Sequence, residues 1–260
     1  ASISIFKNQS SFTQYVDVDE FENMWIGSLT ELPVTDMYMI KSETTDTIVY
    51  EGKIINPSDL SIDVGIGWNW IGYLGQRIMS TNEALSSLNP SSGDVIKNKS
   101  TFSMFASESL GWLGTLNSME SGEGYMLKTG NSGTLIYPES SIYRIHDLKQ
   151  SNNQYADKLV PVKTTFYEHS MNVVAKIDMQ AYNKPSKANI LAAFSDKLCL
   201  GNINATIISE DNSLYFITIY GEEGYDVSFK YYDQAKDIYF TTENMITFEP
   251  NKLIGSVLDP

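Results

Sequence analysis

Cysteine and histidine are scarce in this 260-residue sequence, which has only Cys199, His146 and His169. A single cysteine excludes an intrachain disulfide and any zinc site built from several cysteines. Neither histidine lies in an HExxH pattern or accompanies a nucleophile-elbow serine. Cys199 stands in the apolar run "KLCLG", where a buried and inert thiol is the usual finding. The sequence gives no support for nucleophilic catalysis, and we expect a protein that is not an enzyme.

Basic residues are also few, with 18 Lys and Arg against 32 Asp and Glu, for a net charge of −14. No cluster of them forms a stripe that could follow a phosphate backbone, which argues against nucleic acid and anionic membrane partners. No apolar run reaches 18 residues, so membrane insertion is not expected. The glycine runs lack the spacing of a phosphate-binding loop. The first residues, "ASISIFKNQS", have neither an initiator Met nor a signal-peptide pattern, so we expect a mature product or an excised segment.

Strand-forming residues, by contrast, are abundant. Hydrophobic residues make up 42% and aromatic residues 12% of the chain, with 16 Tyr and 11 Phe. This composition favours a folded, mainly β protein over a disordered one. The length is sufficient for two domains that each bury a core.

An internal repeat is the clearest feature of the sequence. The segment "MWIGSLTELPVTDMYMIKSETTDTIVYEG" at 24–52 aligns without a gap with "GWLGTLNSMESGEGYMLKTGNSGTLIYPE" at 111–139. Upstream, "FKNQSSFTQY" at 6–15 aligns with "IKNKSTFSMF" at 96–105, and the first copy carries a few extra residues between the two matches. A length change of this kind is typical of a hairpin or loop. The repeat therefore predicts one small β-rich module present twice.

The second copy is the complete one. Its opening "GWNWIGY" at 67–73 alternates as a strand covered on both faces does. Ser80 followed by Glu83 forms a capping box, and Ala84, Leu85 and Leu88 then follow at helical spacing, which predicts a short helix. The first copy begins past both elements. Its missing strand would lie upstream or be replaced by another pairing, and a strand supplied by another chain is one alternative.

The second half of the chain has a different pattern. Runs such as "LYFITIYG" and "YDVSFKYYD" alternate at close spacing between Gly, Asn and Asp turns, which predicts an immunoglobulin-like β-sandwich. We therefore predict a truncated repeat module at 1–64, a full module at 65–148, a linker at 149–162 and the sandwich at 163–260. The linker is placed where Ser, Asn and Gln are enriched.

Acidic residues cluster in "DVDEFE" at 17–22 and "GEEGYD" at 221–226. Paired carboxylates serve glycosidases, but close acidic runs in turns are usually solvated loops. In the first run Asp17, Asp19 and Glu20 offer oxygen ligands suited to calcium, although the glycine and final glutamate of an EF-hand are missing. We therefore expect no cofactor, with calcium at these three residues as the alternative.

Aromatic side chains are the remaining candidates for binding, because flat rings stack on sugar faces. The candidate ligand-binding residues are Trp68, Trp70, Trp112 and Tyr125. Trp112 and Tyr125 recur in the first copy as Trp25 and Tyr38, which a packing role explains without a ligand. Trp68 and Trp70 have no counterpart in the first copy, and we expect them to be core unless one face of their strand proves exposed.

The combination of "GWNWIGY", "GWLGTL" and "GEGYMLKTG" with "ILAAFSDKLCLG" and "YFITIYG" resembles tandem modules of large secreted or cell-surface proteins of the Bacteroidota type. The resemblance covers nearly the whole chain and implies an extracellular or surface location, flanking domains of a longer chain and type IX secretion. It assigns no catalytic residues. It implies a non-catalytic adhesion, assembly or spacer module whose partner is a glycan or another surface protein. The alternative is a carbohydrate-binding module attached to a glycan-degrading enzyme.

Overall fold

A computed structural model describes residues 3–18, 21–45, 47–49, 52–53, 55–139, 159, 161, 167–177, 185–209 and 212–260. About 50% of the residues lie in strands and 3% in helices, which confirms a mainly β fold. The predicted linker at 149–162 lies outside the described residues except for residues 159 and 161.

The elements follow the two copies and the second half of the chain. The first copy contains β1 (Ile3–Lys7), β2 (Phe12–Val18), β3 (Phe21–Gly27) and β4 (Met39–Ser42). A 3-10 helix (Pro57–Asp59) and β5 (Ile62–Val64) come next. The second copy contains β6 (Gly67–Gly72), β7 (Met79–Ser80), α1 (Thr81–Ala84), β8 (Val95–Lys97), β9 (Phe102–Ser107), β10 (Gly111–Gly114), β11 (Ser118–Met119), β12 (Gly124–Thr129) and β13 (Gly133–Leu135). The last eight strands are β14 (His169–Ala175), β15 (Ile190–Ser195), β16 (Leu198–Asn204), β17 (Thr206–Ser209), β18 (Asn212–Gly221), β19 (Asp226–Asp233), β20 (Ile238–Thr247) and β21 (Leu253–Ile254).

The chain forms two compact units. One comprises Ala1–Asn98 and Leu116–His146, and the other comprises Lys99–Thr115 and Asp147–Pro260. In the first unit the strands of the first copy form an antiparallel sheet in the order β3-β2-β1-β4. In the same unit β12 lies between β8 and β6, antiparallel to both. Two short antiparallel pairs, β7 with β11 and β5 with β13, complete the unit.

The two copies of the repeat have the same strand register. In the first copy Met39 of β4 lies opposite Lys7 of β1. In the second copy the equivalent residues, Met126 of β12 and Lys97 of β8, lie opposite each other. Since a one-residue slip would move every side chain to the other face, shared register shows that the sequence repeat is also a structural repeat.

The hairpins β2–β3 and β9–β10 repeat the same arrangement. Tyr15 lies opposite Trp25, and Phe105 lies opposite Trp112. Both ring pairs are T-shaped, with centroids 5.5 Å apart in the first hairpin and 5.6 Å apart in the second. Such edge-to-face pairs stabilise a hairpin by about 1 kcal/mol beyond the area they bury. Each hairpin is therefore stabilised by an aromatic pair at the equivalent cross-strand position.

The capping box predicted at Ser80 is present. The Ser80 hydroxyl accepts a hydrogen bond from the Glu83 amide at 3.2 Å. Helix α1 ends at Ala84, however, and the chain then turns, so the helix is shorter than the spacing out to Leu88 predicts. Thr81 fixes this turn to the chain before β11, because its hydroxyl donates to the Leu116 carbonyl at 2.6 Å. The single helical turn thus depends on tertiary contacts for its stability.

Strands β14–β21, in the second unit, form a sandwich. One sheet has the order β17-β18-β14-β21 and the other the order β16-β15-β19-β20. Seven of these strands follow the B, C, C′, D, E, F, G order of an immunoglobulin-type sandwich, while β21 runs parallel to β14 at the position usually held by strand A. The shared core contains Met171, Val173, Leu191, Ala193, Leu200, Ala205, Tyr215, Ile217, Ile219, Val227, Phe229, Tyr231 and Phe248.

Candidate functional site

Strand β6, which carries Trp68 and Trp70, has a neighbour on each side. Its ladder with β12 runs from Gly72 opposite Gly124 to Gly67 opposite Thr129. On the other side, residues of the first copy contact its backbone. The strand is therefore covered along both edges.

The contact on the second edge is made by the turn between β1 and β2. The Gln9 side-chain amide donates to the Trp68 carbonyl at 2.8 Å, and its oxygen accepts from the Trp70 amide at 2.8 Å. The glutamine thus pairs with the strand as a backbone amide would. Further along, Asp36 forms an isolated antiparallel bridge with Ile71, and the Gly72 amide donates to the Thr35 carbonyl at 2.8 Å.

Glycine is required at the end of β6 by this contact. A methyl group at Gly72 would collide with the carbonyl oxygens of Val34 and Asp36. Only a residue without a side chain allows two backbones to approach this closely. The first and second copies therefore pack against each other through their main chains.

The Trp68 and Trp70 side chains are both half-buried. The Lys97 ammonium lies 5.3 Å from the centroid of the Trp68 ring, within the range of a cation–π interaction. Lys97 itself is 3% exposed, and burial lowers its pKa to about 8. The Trp68 ring therefore packs against a buried lysine of its own unit.

Trp112 and Tyr125, the other two aromatic candidates, are buried, at 7% and 1% exposed. The Tyr125 hydroxyl accepts a hydrogen bond from the Glu120 amide at 2.9 Å, and burial raises the pKa of that hydroxyl to about 12. Neither ring presents a face to solvent. Their positions agree with the packing role that their recurrence in the repeat suggests.

The predicted calcium ligands fall where little is described. Asp19 and Glu20 lie outside the described residues, and of Asp17 only the backbone, in β2, is described. Across the described part of the chain, no group of three His, Cys, Asp or Glu side chains is placed to hold a metal ion. Calcium binding at the predicted position stays a prediction.

Of the cysteine and histidine side chains, the structure describes Cys199 and His169. Cys199 is buried in β16, and burial raises the pKa of its thiol. His169 is exposed at the start of β14, while His146 lies outside the described residues. A raised thiol pKa lowers the thiolate fraction that nucleophilic chemistry needs.

Equivalent residues of the two copies differ in how far their side chains are exposed. Trp25 is 44% exposed, whereas Trp112 is 7% exposed. Lys7 is exposed and its equivalent Lys97 is buried. The same residue types in the same register thus have different environments in the two copies.

Sequence reasoning did not identify Gln9 and Lys97 as important residues. Both lie in the aligned segments 6–15 and 96–105, where lysine occupies the position equivalent to Gln9 and recurs at that of Lys97. The first copy has glutamine at position 9 where the second copy has lysine at position 99. This difference pointed to a hydrogen-bonding role, because the glutamine side chain both donates and accepts whereas the lysine ammonium only donates.

No family model, no curated protein and no solved structure matches this chain. Among the residues that the structure describes, none of the helices has the length and hydrophobicity of a membrane-spanning segment.

Proposed function

We propose that this chain is a non-catalytic segment of a secreted or cell-surface modular protein, in which it serves as an adhesion, assembly or spacer module. The observation that carries the proposal is the docking of the first copy onto β6 through Gln9 and residues 34–36. Flexibly linked modules would not need main-chain hydrogen bonds and a glycine contact between them. Contacts of this kind hold neighbouring modules in one fixed arrangement, which suits a protein that must present other domains.

The location outside the cell or at its surface follows from the resemblance to Bacteroidota modular proteins, as does a partner that is a glycan or another surface protein. The acidic composition is compatible with both, because a net charge of −14 keeps a protein soluble without attracting polyanions.

A distance measurement between the two copies tests the spacer role. Spin labels at Lys7 and Lys128, which are both exposed, would be introduced with Cys199 replaced by Ser. We expect a single narrow distance distribution, broadened by Gln9→Ala, since that change removes both hydrogen bonds to β6. Gln14→Ala, at an exposed glutamine of β2, is the matched control and should leave the distribution narrow. A broad distribution in the unmutated chain would refute a rigid spacer.

Carbohydrate binding is the second candidate function, and exposed aromatic rings favour it. Trp25 in the first unit and Tyr239 and Phe240 on β20 in the second are each roughly 40% exposed. Affinity electrophoresis against a panel of polysaccharides tests this candidate. Retardation by one polysaccharide that disappears in Trp25→Ala or Tyr239→Ala, with the circular dichroism spectrum unchanged, would replace the spacer proposal.

A further inference from the structure

Strand β4 stands at an edge of the first copy's sheet. The sheet ends there in the order β3-β2-β1-β4, and all four residues of the strand are exposed. The equivalent strand of the second copy, β12, has β8 on one side and β6 on the other. The side of β4 that corresponds to the β6 side of β12 carries no strand among the described residues.

The hydrogen-bonding groups on that side can be identified from the second copy. Because the Trp70 main chain faces Gln9, strand alternation turns Asn69 and Ile71 toward β12. Asn69 lies opposite Leu127, whose equivalent in β4 is Ile40. The Ser4 hydroxyl donates to the Lys41 carbonyl at 3.4 Å, so Lys41 faces β1 and Ile40 faces outward.

The exposure of apolar side chains on and near β4 also indicates an uncovered edge. Ile40 is 45% exposed, whereas Leu127 is 0% exposed. A second position shows the same contrast: Leu32 is 57% exposed, and its equivalent Met119 is 0% exposed. In the second copy Met119 pairs with Met79 of β7.

One continuous stretch of the second copy covers both positions. Residues 67–85 contain β6, β7 and α1. Strand β6 pairs with β12, β7 pairs with β11, and Thr81 of α1 donates a hydrogen bond to the Leu116 carbonyl. The first copy retains the surfaces that this stretch would occupy, at β4 and around Leu32. Both surfaces therefore have the same occupant in the second copy.

We propose that the β4 edge of the first copy binds an extended segment of the β6–β7–α1 type. The segment pairs antiparallel with β4. Its residue equivalent to Asn69 lies opposite Ile40, as Asn69 lies opposite Leu127 in the second copy. Addition of a strand to an exposed edge supplies main-chain hydrogen bonds, while the two tryptophans and the helix supply side-chain burial. This inference rests on the proposed assembly role and names the partner that the assembly takes.

The test uses the full chain and a fluorescent peptide with the sequence of residues 65–89, "GIGWNWIGYLGQRIMSTNEALSSLN", flanked by lysines for solubility. Fluorescence polarisation should show saturable binding that a scrambled peptide with the same lysines lacks. A peptide N-methylated at Asn69 should bind about fivefold or more weakly, the loss expected from one hydrogen bond. N-methylation at Trp70 should leave binding unchanged, because that amide points away from β4.

Variants of β4 provide the second arm. Ile40→Pro removes the outward N–H without touching the ladder to β1, so it should weaken binding about fivefold or more, and Ile40→Val should not. Circular dichroism checks that both variants fold. Absence of saturable binding up to about 1 mM peptide, or equal weakening by the two N-methyl groups, would overturn the proposal.

Light scattering tests whether a second copy of the chain occupies the β4 edge instead. A dimer that Ile40→Pro dissociates would show that a second copy of the chain fills the edge, and the proposal would be wrong. Failure of the peptide to bind leaves the spin-label distances untouched, whereas a broad distance distribution refutes the spacer role without bearing on β4.

Discussion

Burial of Lys97 should reduce the stability of the first unit at neutral pH. The residue is 3% exposed and its pKa is lowered to about 8 by burial, against about 10.4 for a lysine in an unfolded chain. That difference opposes folding by about 3 kcal/mol at pH 7. The cation–π contact with Trp68 returns about 1 to 2 kcal/mol. We therefore expect Lys97→Met to raise the free energy of unfolding at pH 7 by about 1 to 2 kcal/mol.

The pH dependence makes this prediction specific. Because the folded pKa is the lower one, the unfolded chain holds more protons than the folded chain between about pH 8 and pH 10.4, and stability rises with pH there. Relative to the wild type, the advantage of Lys97→Met should be constant below pH 8. It should then shrink by roughly 1 kcal/mol per pH unit up to about pH 10.

Urea unfolding followed by tryptophan fluorescence measures the effect, since Trp25, Trp68 and Trp70 lie in the same compact unit as Lys97. Lys7→Met is the matched control, because Lys7 holds the equivalent position and is exposed, so its replacement should change little. A Lys97→Met variant less stable than the wild type at pH 7, by an amount that stays the same up to pH 10, would refute the reasoning.

Three further predictions follow from the contacts. Gln9→Ala should lower the free energy of unfolding by about 1 kcal/mol and speed hydrogen exchange of the Trp70 amide; unchanged exchange would contradict the contact between Gln9 and β6. Gly72→Ala should lower the free energy of unfolding, measured in urea, by about 1 to 3 kcal/mol, since the added methyl group meets the Val34 carbonyl. Gly133→Ala is the control and should cost less than half as much, because the atoms nearest to its added methyl group are 4.0 Å away. Cys199 should react with an aromatic disulfide reagent only in denaturant, and rapid native reaction would disagree with its burial.

Local features of the fold were predictable from the sequence because they depend on neighbouring residues. The repeat alignment places Tyr15 and Phe105 at equivalent positions, and the structure gives both the same cross-strand partner, tryptophan. The capping box at Ser80 depends on three residues and is present. The alternating pattern within 163–260 predicts the strands of the sandwich, whose register follows from which face is apolar.

The burial and long-range contacts of individual side chains were not predictable, because they depend on residues distant in sequence. The lysines at 7 and 97 occupy the same position in the repeat, and only the surrounding elements make one exposed and the other buried. Likewise, the glutamine at position 9 indicates a side chain that can both donate and accept hydrogen bonds, but not that it reaches the backbone of β6. Trp68 and Trp70 are half-buried, an outcome between the two alternatives.

The shared register of β4 and β12 also has a consequence for how the chain folds. Strand β6 has two edges of matching pattern to choose from, and the connection from β4 to β6 is roughly half as long as that from β6 to β12. Loop-closure entropy then favours the non-native choice by about 0.6 kcal/mol. Synthesis from the N-terminus favours it too, because β4 is made before β6 and β12 after it. A chain whose β4 is already occupied would lose this competing pairing, so an occupant of that edge would guide folding as well as assembly.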